Sequence, residues 1–297
     1  MKKGILIVFY CLCTSGFSFA QSKTLFELEQ DLKITGDSIL KGSNDSIRIS
    51  NCNLFSEKFQ AFLNYPESFN YEFDSLKTVS ALMSSDNLLR IYTWLLPAID
   101  GNHFSYYGFI QLKDKKSGTI SLLRLEESEL KREEAEIKTY DYKSWIGALY
   151  YTLITSKTKG GNIYTLLGWK GNNLSTTIKV IDVLFIEKGI AKFGKPVFEV
   201  ENKMRNRIIF EFSAYAVMSL KYDKKKKRIV FDHLSPGNTV LNGSYSNYGP
   251  DFTYDGFLLS KGKWIYKKNL DLKNSPEFDK NTSPSNVKSK EFYKPEK

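Results

Sequence analysis

Four side chains able to do acid–base chemistry fall between residues 232 and 255: Asp232, His233, Asp251 and Asp255. Glycoside hydrolysis needs two carboxyl groups roughly 5–10 Å apart, one serving as acid and the other as base or nucleophile. Asp251 and Asp255 can form such a pair, with Asp232 or His233 in support. Tyr248, Phe252 and Tyr254 add rings on which a sugar can stack. The plainer reading of the same stretch is a structural turn. Asp255-Gly256 is a turn dipeptide, and Asp251 follows Gly249-Pro250 in position to cap a bend. On that reading the chain bends at both dipeptides and the rings pack between strands. The spacing of the two aspartates lacks the dense oxygen ligands of an EF-hand calcium loop.

Other chemistries find less support. The two histidines, His103 and His233, match no zinc-ligand spacing, and neither His-Glu-x-x-His nor Cys-x-x-Cys is present, so no metal and no cofactor is expected. A nucleophilic serine would need a Gly-x-Ser-x-Gly elbow, which is missing. Gly168-Trp-Lys-Gly171 lacks the spacing and the Lys-Ser/Thr of a phosphate-binding loop. Cys52 lies three residues before Phe55 and seven before Phe59, on an apolar helix face with no basic partner evident, which makes it a small hydrophobe.

The first twenty residues read as a secretory signal peptide. Lys2 and Lys3 precede an apolar run from Gly4 to Cys13, and Ser18-Phe19-Ala20 supplies small residues before a cut at Gln21. The run is too short to span a bilayer comfortably. Tyr10 and Leu12, which precede Cys11 and Cys13, are not the small residues that lipidation would want. Cleavage would leave Cys52 as the single cysteine, so no intramolecular disulfide is expected. Losing Lys2 and Lys3 takes the net charge from +10 to +8. Export argues against a nucleic-acid partner for this charge. No later segment approaches membrane-spanning length. The basic run Lys224, Lys225, Lys226, Lys227, Arg228 suits contact with an anionic polymer or lipid surface, and equally a solvated turn.

The elements that must position these groups follow from periodicity. Apolar residues predict a helix over 24–40, weakened at Gly36, and a second over 46–63 that ends before Tyr65-Pro66. From residue 88 onward, short runs rich in aromatic and branched residues alternate with polar turns such as Lys159-Gly-Gly-Asn162. This predicts antiparallel strands at 89–95, 104–112, 119–125, 148–155, 163–169, 177–186, 207–215, 217–222, 229–234, 257–260 and 263–268. A glutamate-rich stretch at 126–137 interrupts them. The expected fold is α+β, mainly β: a helical region at 21–87, an antiparallel β domain at 88–269 left open between sandwich and barrel, and a disordered tail at 270–297.

Several longer stretches carry a resemblance: Trp145 to Tyr151, Tyr164 to Asn173, Ile209 to Leu220, Ile229 to Pro236, and Tyr248 to Gly256. Taken in order they resemble a group of uncharacterised exported proteins of Bacteroidota of similar length. The resemblance implies a Gram-negative envelope, with the periplasm as first expectation and the extracellular space as second. It implies no reaction and no ligand. The function expected is a non-catalytic binding or assembly module for a glycan, a peptide or an envelope protein. The alternative is a carboxylate-dependent hydrolase of a glycan-type substrate.

Overall fold

The computed structural model describes residues 23–129, 131–158, 160–237 and 243–272. The expected signal peptide, and the expected tail apart from 270–272, lie outside the described residues. Two capped helices open the fold. In α1 (Leu25–Ser38) the Thr24 hydroxyl accepts from the Glu27 N–H, and the Glu27 carboxylate accepts from the Thr24 N–H at 2.8 Å. Gly36 sits where α1 approaches Thr78 closely: a Cβ there would lie 2.5 Å from the Thr78 hydroxyl oxygen. In α2 (Asp45–Leu63) the Asn44 side chain accepts from the Ile47 N–H at 2.9 Å. Its Cys52, Phe55, Phe59 and Phe62 are buried.

The helices cover the first of three sheets. Its strands β1 (Ser80–Met83), β2 (Leu89–Pro97), β3 (Phe104–Lys113) and β4 (Ile120–Leu125) pair antiparallel in chain order. Alternation along a strand sends successive residues to opposite faces. Accordingly Tyr92, Trp94, Leu96 and Phe109 pack with the helices, while Leu89, Ile91, Tyr106 and Ile110 pack on the second sheet.

The glutamate-rich stretch contains a short helix, α3 (Arg132–Ala135). The second sheet then takes β5 (Tyr140–Asp141), β6 (Leu149–Thr158), β7 (Gly161–Gly171), β8 (Thr176–Glu187) and β9 (Ile190–Phe193), in the order β5-β9-β8-β7-β6. Strands β10 (Phe198–Val200) and β11 (Lys203–Arg205) belong to the third sheet, whereas β12 (Ile208–Ser213) returns to pair with β8. The third sheet is completed by β13 (Leu220–Asp223), β14 (Arg228–Pro236), β15 (Tyr248–Ser260) and β16 (Lys263–Lys267), in the order β11-β10-β16-β15-β14-β13. Among the named strands the β10–β16 pair alone is parallel.

The second sheet is buried on both faces. From β8, Ile178, Val180 and Leu184 pack towards the first sheet, and Ile181, Val183 and Phe185 pack towards the third. The result is two N-terminal helices followed by a mainly antiparallel stack of sheets. A buried ion pair lies in this stack: Arg207 Nε is 3.0 Å from Asp182 Oδ1, with both side chains fully buried. The Tyr150 hydroxyl donates to the same aspartate at 3.2 Å and accepts from Trp145 Nε1 at 3.0 Å.

Some expectations change. Strand β1 lies inside the range expected to be helical, and β5, β9, β10 and β11 are short strands that the sequence reading passed over. Strand β15 begins at Tyr248 rather than at 257, so Asp255-Gly256 lies within a strand and is not a turn. Gly256 is needed there for close approach: a Cβ would stand 2.5 Å from the Ile229 carbonyl oxygen and clash with Leu270.

Candidate functional site

The site is built by a defect in the pairing of β14 with β15. Phe231 lies opposite Asp255 and Asp232 opposite Tyr254, but Leu234 lies opposite Pro250. His233 therefore faces three residues, Asp251, Phe252 and Thr253, and the extra length bulges outward. Asp251 ties the bulge together by accepting from the Thr253 N–H at 3.0 Å and from its hydroxyl at 2.7 Å. Phe252, at the apex, has φ +69°, in the region that disfavours a side chain, and its residue surface is 92% exposed.

Asp255 behaves differently from Asp251. It is 2% exposed, and its Oδ2 lies 2.7 Å from His233 Nδ1 and accepts from the Tyr266 hydroxyl at 2.6 Å. Its Oδ1 accepts from the Asn269 N–H at 3.0 Å. A carboxylate oxygen accepts, so with Asp255 as a carboxylate the His233 Nδ1–H is the donor of this contact, and Nε2 is the ring nitrogen turned towards Asp251. That nitrogen is 4.0 Å from Asp251 Oδ2. Burial pushes the Asp251 carboxyl up, but the hydrogen bonds from Thr253 and the His233 charge outweigh it and hold the group below the usual carboxylate range.

Of the residues proposed from sequence, Asp251, His233 and Asp255 are thus brought together, although Asp255 is buried with both oxygens engaged by His233, Tyr266 and Asn269. Asp232 turns aside and accepts from the Ser219 N–H at 2.6 Å. Burial raises its pKa, against the pull of Ser219 and Lys179. Lys179 itself is 9% exposed, lies 5.6 Å from the Tyr151 ring centroid, and is lowered to about 8 by burial, with Asp232 opposing. Among the three aromatic candidates, Phe252 projects into solvent. Tyr248 and Tyr254 are half-buried, and Tyr248 packs against the core between the second and third sheets. In the basic run, Lys224 to Lys227 form an exposed turn, but Arg228 is buried and its Nε donates to Asp223 at 3.0 Å. Its charge is taken up internally, so the proposed anionic-surface contact reduces to the four lysines.

The sequence reading missed a second feature. Asn102, Asn173, Thr176, Glu211, Tyr245 and Ser246 are among the residues lining an open polar cleft of about 520 Å³. These positions come from four separate parts of the chain, and no local pattern marks them. Tyr245, three residues before Tyr248, is the one of them whose residue type could signal a binding surface.

Among the described residues no group of three or more His, Cys, Asp or Glu side chains is placed to hold a metal ion, and no helix is long and apolar enough to cross a membrane. No family model, curated protein or solved structure matches this chain.

Proposed function

We propose that this chain is an exported envelope protein, with the periplasm as its compartment, that acts as a glycan-binding module and not as an enzyme. The observation that carries the reading is Phe252: a strained backbone holds an aromatic ring out into water beside hydrogen-bonding groups, Asp251 and His233. Leaving a phenylalanine in water forgoes about 2 kcal/mol of burial. A non-glycine residue in this backbone region costs about 1–3 kcal/mol, and such strain clusters at ligand-contacting positions. A ring offers a face for the apolar side of a sugar, and the adjacent carboxylate accepts from its hydroxyls. The signal pattern at residues 1–20 and the resemblance to exported Bacteroidota proteins support the compartment. Calorimetric titration of the mature chain with cellohexaose, chitohexaose and xylohexaose tests the function. Binding to at least one, weakened roughly five-fold or more by Phe252→Ala, is expected. Binding unchanged in Phe252→Ala would remove this reading.

A second reading, hydrolysis of a glycan, has one observation in its favour: His233, oriented by a buried carboxylate, presents Nε2 towards Asp251. A two-carboxylate mechanism does not fit, because Asp255 has both oxygens engaged. His233 would take a proton from the attacking water and, as imidazolium, return it to the departing sugar oxygen as the glycosidic C–O bond breaks. New reducing ends released by the wild type and not by His233→Ala would establish it, and their absence on all three hexasaccharides would dismiss it.

A further inference from the structure

The cleft beside Tyr245 is built in a way that specifies its ligand. It opens where the β2–β3 turn (Asn102), the β7–β8 turn (Asn173 to Thr176), β12 (Glu211) and the short turn Tyr245–Asn247 converge. Glu211 is fixed on both oxygens. Oε1 accepts from the Thr176 hydroxyl at 2.9 Å and from Asn172 Nδ2 at 3.1 Å, and Oε2 lies 3.4 Å from Arg132 Nη1. Arg132 in turn donates to the Ile209 carbonyl at 3.2 Å and stands 4.3 Å from the Tyr245 ring centroid. Among the described lining residues Glu211 is the one carboxylate, and its charge is paired with Arg132; Tyr245 is the one aromatic ring, and the same guanidinium lies on its face.

The remaining lining is uncharged and hydrogen-bonding. Asn173 Oδ1 accepts from the N–H groups of Ser175 at 2.8 Å and Thr176 at 2.9 Å, which fixes the turn and leaves the Asn173 amide N–H groups as donors. Asn102 donates to Asp100 and keeps its carbonyl oxygen as an acceptor. Leu174, 54% exposed, adds an apolar contact.

Other ligand classes fit poorly. An anion needs an uncommitted cation, and Arg132 is shared among Glu211, Ile209 and Tyr245. A divalent cation needs several free oxygens, whereas both oxygens of Glu211 are occupied. An apolar ligand would strip water from the serines and asparagines without replacing their hydrogen bonds. A neutral, polyhydroxylated molecule satisfies them.

Tyr245 and Phe252 are seven residues apart, which sets their separation below roughly 25 Å even for a fully extended chain. We infer that the Tyr245 cleft is a second subsite, taking an uncharged sugar unit of the same glycan chain that Phe252 contacts. This inference rests on the glycan reading of the bulge.

The test is calorimetric titration of the mature chain with the neutral hexasaccharides and with a heparin hexasaccharide, using Tyr245→Ala and Asn173→Asp. The aspartate retains the turn-capping oxygen while removing the amide donors, so it keeps the test open if Tyr245→Ala fails to fold. Each variant is expected to weaken a neutral hexasaccharide roughly five-fold or more, with heparin bound less tightly than the neutral chains. Unchanged neutral binding in both variants, or preference for heparin, would overturn the second subsite. Loss in Phe252→Ala with no loss in Tyr245→Ala and Asn173→Asp removes the cleft and keeps the bulge. The reverse pattern removes the bulge and keeps the cleft as a site on its own. No binding of any neutral probe overturns both.

Discussion

His233 Nδ1 lies 2.7 Å from Asp255 Oδ2, and this contact joins the surface bulge of β15 to the buried core of the third sheet. Asp255 also holds Tyr266 and the backbone at Asn269, so a single buried carboxylate anchors two strands and the segment that follows β16. Replacing it with alanine would leave these donors without an acceptor. Asp255→Ala is expected to lower unfolding free energy by about 3 kcal/mol in urea titration, whereas Asp251→Ala, exposed to water, changes it by less than about 1 kcal/mol. Equal effects of the two substitutions would contradict the division of roles.

Strain at Phe252 gives a prediction of opposite sign. Glycine tolerates positive φ without a Cβ penalty. Phe252→Gly is expected to raise stability by up to about 1 kcal/mol while weakening glycan binding, the trade-off shown by residues kept for contact and not for folding. A loss of stability in Phe252→Gly would mean that the ring contributes to packing.

The buried Arg207–Asp182 pair tests the core between the sheets. Removing one partner of a fully buried ion pair leaves an uncompensated charge, typically at about 3–5 kcal/mol. Asp182→Ala is expected to destabilise by that amount and Tyr150→Phe by about 1 kcal/mol, both measured by chemical denaturation. A near-neutral Asp182→Ala would show that water reaches Arg207 in solution.

Lys179 predicts a pH dependence. Its folded pKa, lowered to about 8 by burial, lies below the ordinary lysine value of 10.5. Between these values the unfolded chain binds more protons than the folded one, so stability rises with pH across that window and the burden is fully present below about 8. Lys179→Met is expected to abolish this rise and to add on the order of 3 kcal/mol at neutral pH. The difference between wild-type and variant denaturation curves at pH 7 and pH 10 isolates the effect. A difference that does not change with pH would contradict it.

Legibility from sequence followed the range of the interactions. The two helices were readable because their apolar residues recur at helical spacing within one segment each; the caps that the structure adds, Thr24 and Asn44, act within three residues. Strand β1 was not: Ser80-Ala-Leu-Met83 contains no β-branched or aromatic residue, and it is a strand because it pairs with β2. The segment carrying Asp251 and Asp255 reads as a pair of turns in the sequence. Gly249-Pro250 and Asp255-Gly256 look like breaks, yet both lie within β15, whose irregularity is the bulge between them. Residue types named Asp251, Asp255 and His233 as a set. That Asp255 is buried and Phe252 exposed depends on a three-against-one register mismatch, which no local pattern encodes. The cleft unites Asn102, Glu211 and Tyr245 from distant parts of the chain, so only folding reveals it.

Contact between the bulge at Phe252 and a glycan is read out by an NMR titration of isotope-labelled mature chain with whichever neutral hexasaccharide binds, following backbone amides and aromatic resonances. The Phe252 ring and the amides of Phe252 and Thr253 are expected to shift most, together with a smaller set around Tyr245. Saturating binding that leaves the Phe252 resonances unmoved, with shifts confined to the Lys224–Lys227 turn or elsewhere, would contradict the account.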